Sequence, residues 1–132
     1  MASRLLSALD ARIAKCRDPV ENACLRAEKA ALLARQGYLD AARAELAIVH
    51  ARYDGRPNAV VSAWVNLAEG LIAFYGSLSL KAKDKLIRAI ALSSAVGNRD
   101  VWALGAAWFY MKYKFRFCRI TGIVKYDISC ID

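Results

Sequence analysis

LDAARAELAIV, residues 39–49, and LKAKDKLIRAI, residues 80–90, carry the same pattern. Ala42, Leu46 and Val49 in the first stretch return as Ala82, Leu86 and Ala89 in the second, with a spacing of four and then three. That spacing puts each trio on one face of a helix. Each stretch also follows a longer apolar helical run, so the chain reads as a helix-turn-helix unit recurring about every 40 residues. One such pair cannot bury both of its faces, so neighbouring pairs must stack and share a core.

Working outward, the boundaries are marked by capping residues and helix breakers. A first helix over residues 3–16 carries Leu5, Leu6, Leu9 and Ile13 as a stripe. Asp18, Pro19 and Glu21 then form a capping box around a proline at the first helical position, which starts a second helix running to Gln36. Gly37 ends it, and a third helix from Leu39 to Tyr53 stops at Asp54-Gly55-Arg56-Pro57. A fourth helix from Asn58 to Tyr75 is broadly apolar, a fifth runs from about Leu80 to Val96, and Arg99-Asp100 opens a sixth with Trp102, Trp108, Phe109 and Tyr110. Beyond it, CRITGIVKYDISCID exchanges Ala and Leu for Ile, Val, Thr and Tyr, which reads as strand-like or irregular. The division expected is a helical repeat domain over residues 1–111 and a basic C-terminal extension over 112–132, the shift in composition suggesting a truncated or altered end of a longer repeat protein.

The bulk composition narrows the classes. A chain of 132 residues can bury a core without metal or disulfide staples. Arg4, Asp10 and Arg12 break up the N-terminal segment, so it does not read as a signal peptide, and no run is apolar enough for a membrane span. A cytoplasmic protein with no membrane association is expected. Cys16, Cys24, Cys118 and Cys130 show neither a CxxC pair nor a histidine at ligand spacing, so they read as reduced thiols with no metal and no cofactor. The net charge of +8 admits a nucleic-acid partner, but both signs are interleaved along the helices, as Arg43 with Glu45 and Asp84 with Arg88.

With these residues in place, the chain resembles the tetratricopeptide repeat (TPR). AWVNLAEGLIAFYG supplies Trp64, Leu67, Ala68 and Leu71, and the helix after it supplies Ala82, Leu86 and Ala89. The preceding pair is similar through Ala30, Leu33, Gly37, Ala42, Leu46 and Val49, with Arg26 at the large-aromatic position and Lys29 at the leucine position. A third first helix is read from Val101, Leu104, Gly105 and Trp108. The resemblance covers roughly residues 23–111 and has a longer period than the ~34 residues usual for that family. It implies an all-α fold of about six helices, stacked as antiparallel pairs in a short superhelix. It also implies a noncatalytic protein-interaction scaffold of the kind placed in bacterial multidomain regulators, including large transcription activators and TPR-GGDEF signalling proteins.

In that family the first helices of successive pairs line the binding face. Carried over, the face comprises Ala27, Ala31 and Arg35, then Val65, Asn66, Glu69 and Ile72, then Trp102, Ala106 and Phe109. The residues expected to touch a protein or peptide partner are Arg35, Asn66, Glu69, Ile72, Trp102 and Phe109, with Asn66 bonding a peptide backbone. Two alternatives stand beside this reading. The aromatic sixth helix has no evident partner within the chain, which points to self-association into a homo-oligomer. Lys81, Lys83, Lys85 and the basic tail point instead to a nucleic-acid-binding regulator. No enzyme is expected, since His50 is the only histidine and no Ser, Cys or carboxylate cluster around it has catalytic spacing.

Overall fold

The computed structural model describes residues 2–53, 56–113, 118–120 and 123–125, with side chains over 4–53 and 56–111. Six α-helices follow one another: α1 (Ala2–Lys15), α2 (Pro19–Arg35), α3 (Leu39–Tyr53), α4 (Ala59–Tyr75), α5 (Ser79–Val96) and α6 (Arg99–Tyr113). After them come β1 (Cys118–Ile120) and β2 (Ile123–Lys125), paired antiparallel with Arg119 opposite Val124. The all-helical body and the stacking of helix pairs agree with the sequence reading, and the helix limits move by one residue at most ends. Asp54 and Gly55 of the expected break lie outside the described residues, as do Met1 and most of the tail.

The repeat is set by three helix caps. Asp18 Oδ1 accepts the backbone N–H of Val20 at 2.9 Å, and Asn58 Oδ1 accepts that of Val60 at 3.0 Å. Asn98 Oδ1 accepts the N–H of Val101 at 3.1 Å. Residues 18, 58 and 98 stand forty apart, and each fixes where a first helix begins by satisfying an otherwise orphaned amide. The turns keep the same period, since Gly37 at φ 88° is matched by Ser77 at φ 63°. The left-handed backbone therefore falls on the serine rather than on Gly76, whose φ is −89°.

This cap register corrects the alignment of the first pair. Cys24 and Ala27, not Arg26 and Lys29, stand forty residues before Trp64 and Leu67. Burial follows the same register: Ala23, Leu25, Ala27, Ala30, Ala31 and Leu33 are buried, as are Ala63, Val65, Leu67, Gly70, Leu71 and Ala73. Ala42, Leu46 and Val49 of α3 and Ala82, Leu86 and Ala89 of α5 are buried in turn, as their shared spacing requires.

Close helix approach holds α5 between α4 and α6. A Cβ on Gly70 would stand 2.8 Å from Leu86 Cδ2 and 3.3 Å from the Leu86 backbone nitrogen. A Cβ on Gly105 would meet Ile90 Cγ1 at 3.1 Å. The sixth helix is thus not without a partner: it lies on α5 and buries Val101, Ala106 and Phe109. Trp108 adds edge-on ring contacts to Phe74 at 5.2 Å and Tyr75 at 5.5 Å. What α6 leaves open is the other face, where Ala103, Ala107 and Met111 are exposed. Forty residues earlier, Ala63, Leu67 and Leu71 of α4 are buried, so the same face is covered on α4 and exposed on α6.

Candidate functional site

A cleft of about 220 Å³ opens between α1, α2, α4 and α6. Its walls are mostly apolar, with Leu5 and Leu9 from α1, Ala31 and Leu32 from α2, Trp64 and Leu71 from α4, and Leu104 from α6. Arg12, Glu28 and Arg35 supply its charge. Burial pushes the Glu28 carboxyl above its ordinary value; Arg12 opposes that shift and the carboxylate of Asp100 adds to it. The composition suits a partner segment that lays apolar side chains along the walls and a charged group near the arginines.

The α1 wall is held by a small polar network as well as by Leu9. Lys29 Nζ bridges Asp10 of α1 at 2.7 Å and Glu45 of α3 at 3.0 Å. The hydrogen bond to Asp10 leads the causes that raise the Lys29 ammonium above its ordinary value. Arg26 also reaches Glu45, at 3.1 Å. Asn22 is the hub beside them: its Nδ2 donates to the Ile13 carbonyl oxygen at 3.1 Å, and its Oδ1 accepts from Arg26 Nε at 3.2 Å and an Arg52 guanidinium nitrogen at 2.7 Å. Each buried polar atom here has a partner, so α2 is tied to both α1 and α3.

A second cleft, of about 280 Å³, lies on α4 between α3 and the start of α5. Leu46, Ile72 and Ala73 are buried in its lining, and Arg43, His50, Glu69, Leu78 and Lys81 complete it with Ala47. Glu69 accepts Lys85 Nζ at 3.3 Å and faces His50 Nε2 at 3.5 Å. The lining residues include no hydroxyl or thiol that could act as a nucleophile for this pair.

The six residues expected at the binding face do not come together. Arg35 lines the first cleft, while Glu69 and Ile72 share the second. Asn66 is half-buried and its Nδ2 donates to the Ser62 carbonyl oxygen of its own helix at 2.8 Å. Trp102 lies at a shallow depression by the α5–α6 turn, with Ser93, Asn98 and Arg99. Phe109 is only 1% exposed and belongs to the core. Ala27, Val65 and Ala106 are buried as well. The sequence reading missed Leu5, Leu9 and Arg12 of α1, although the leucine stripe of that helix was the available signal. It also missed the pairing of His50 with Glu69, which lie 19 residues apart and meet only through the packing of α3 on α4.

Among the described residues no group of histidine, cysteine and carboxylate side chains could hold a metal ion, and no helix is long and apolar enough to cross a membrane. Cys24 is half-buried, and burial pushes its thiol up to about 11, with Asp18, Glu21 and Glu28 adding to the effect. No protein-family model, curated protein or solved structure matches the chain.

Proposed function

We propose that this chain is a noncatalytic protein-interaction module, a short TPR-like stack that receives a segment of a partner protein in the cleft between α1, α2, α4 and α6. The observation that carries the reading is the cleft itself: three first helices of a forty-residue repeat, with α1 beside them, meet around an apolar channel edged by Arg12 and Arg35. Rigid stacked helices hold such a channel open in advance, so binding orders little of the scaffold. The setting we propose is the cytoplasm, in a bacterial regulatory or signalling system.

The test is selection of peptides from a random library displayed on phage, on the intact chain and on Arg35→Glu and Leu5→Glu. Both side chains are exposed, so neither change is expected to disturb folding. Peptides that bind the intact chain and lose affinity on both variants support the reading; no enriched peptide refutes it.

A second reading, self-association, is favoured by the open face of α6, with Met111 64% exposed beside Ala103 and Ala107. Light scattering coupled to size exclusion decides it. An oligomer that Met111→Glu dissociates supports it, and a monomer at high micromolar concentration removes it.

A further inference from the structure

We propose that the cleft between α3, α4 and α5 is a second docking surface, which takes an acidic segment of a partner protein by one branched apolar side chain and a neighbouring carboxylate. It rests on the interaction-module reading but uses a surface separate from the α1–α2–α4–α6 cleft. The floor is made by Leu46, Ile72 and Ala73, and Leu78, 52% exposed, stands at the mouth. A leucine or isoleucine entering the cleft of about 280 Å³ covers that apolar surface and loses its own water shell.

The charge around the floor selects the neighbour of that side chain. Glu69, the carboxylate in the lining, is already taken by Lys85 at 3.3 Å and faces His50 at 3.5 Å. Lys81 lines the mouth and makes no ion pair among the described residues. Arg43, on the other wall, bridges only the fully exposed Asp40, at 3.0 Å, a contact that water screens and a partner can replace. A cation from α5 and another from α3 therefore flank an apolar floor, the complement of a carboxylate next to a branched apolar residue. A nucleic-acid strand fits less well. Lys85 is neutralised by Glu69, and Lys83, two residues from Lys81, lies on the opposite side of the helix, so the three lysines make no continuous stripe.

The test pans a random peptide library displayed on phage against the intact chain, then measures the enriched peptides by fluorescence polarisation on Lys81→Glu and Leu78→Ser, at low and high salt. Both positions are exposed, and because Leu78→Ser also places a serine at the N-cap of α5, thermal unfolding no lower than that of the intact chain verifies that each variant is folded. The expected result is a peptide family with Asp or Glu within about two residues of Leu or Ile, weakened about tenfold or more on either variant and weakened by salt. Peptides without acidic enrichment, or acidic peptides that bind both variants like the intact chain, overturn the proposal. Peptides that respond only to Arg35→Glu and Leu5→Glu overturn it while leaving the first cleft standing, whereas no enriched peptide refutes both. A single-stranded oligonucleotide that binds the intact chain and is released by Lys81→Glu assigns the cleft to nucleic acid and also overturns it.

Discussion

Glu69 and Lys85 meet at 3.3 Å between α4 and α5, and forty residues earlier Lys29 and Glu45 form the same bridge at 3.0 Å with the charges exchanged. The side chains of Glu69 and Lys85 are about one-fifth exposed, so the pair is partly shielded from water. Equivalent helix pairs thus keep the bridge while reversing its polarity, which is what a repeat preserves when only the attraction matters.

The first prediction follows from that exchange. Lys85→Glu places two carboxylates together and is expected to destabilise the fold by about 1 kcal/mol, while Glu69→Lys with Lys85→Glu recovers most of the loss. A double-mutant cycle in urea measures it. Equal stability of the single and double variants would mean that the bridge contributes nothing.

A second prediction concerns Gly70. An alanine there puts its methyl carbon 2.8 Å from Leu86 Cδ2 and 3.3 Å from the Leu86 backbone nitrogen. The leucine side chain can rotate, but the backbone cannot retreat without parting α4 from α5. Gly70→Ala is expected to cost about 1–3 kcal/mol, although alanine favours helix by about 1 kcal/mol over glycine at an exposed site. Chemical denaturation checks it, and a stabilised variant would mean that the helices are not in this register.

Phe109 tests the placement of α6. Because it is 1% exposed, Phe109→Ala is expected to cost about 3–5 kcal/mol through lost burial and an unfilled cavity. The half-buried Trp102 is expected to cost less when truncated. Thermal unfolding of the two variants compares them. A mild Phe109→Ala would return that ring to the surface and make it available to a partner.

How far all this is legible in the sequence differs between fold and site. Asp18, Pro19, Gly37 and Asn58 mark helix ends because backbone amides and turns need those residues locally, and local needs are visible in a single sequence. The register between pairs was harder to see. Ala27 fills the position that Leu67 fills forty residues on, both fully buried, so matching residue sizes led to Arg26 and Lys29 instead. Those two are salt-bridge partners of Glu45, a relation set by how α2 and α3 dock rather than by spacing on one helix. The site was least legible of all, because a cleft is a property of the gaps between helices. Glu69 and Ile72 share one, but Phe109 points into the core for the same reason that it looked suitable for binding: it is large and apolar.

Glu28 gives a pH-dependent prediction. Burial raises its folded value above the ordinary 4.5, so ionised Glu28 costs stability above that raised value, and the cost fades as the pH falls through it toward 4.5. Glu28→Gln is therefore expected to be more stable than the parent chain at pH 7 and to lose that advantage in acid. Urea midpoints across the pH range measure the difference. A variant no more stable at pH 7 would show that attraction to Arg12 outweighs the burial.

The most direct test of the interaction module is an amide chemical-shift map of the labelled chain titrated with a library-selected peptide that loses affinity on Arg35→Glu and Leu5→Glu. Saturable shifts gathered on Leu5, Leu9, Ala31, Arg35 and Leu104, the walls of the first cleft, are the predicted result. No saturable shift anywhere would contradict it, as would changes confined to Ala103, Ala107 and Met111 that grow only with protein concentration, and the latter would point to self-assembly through α6.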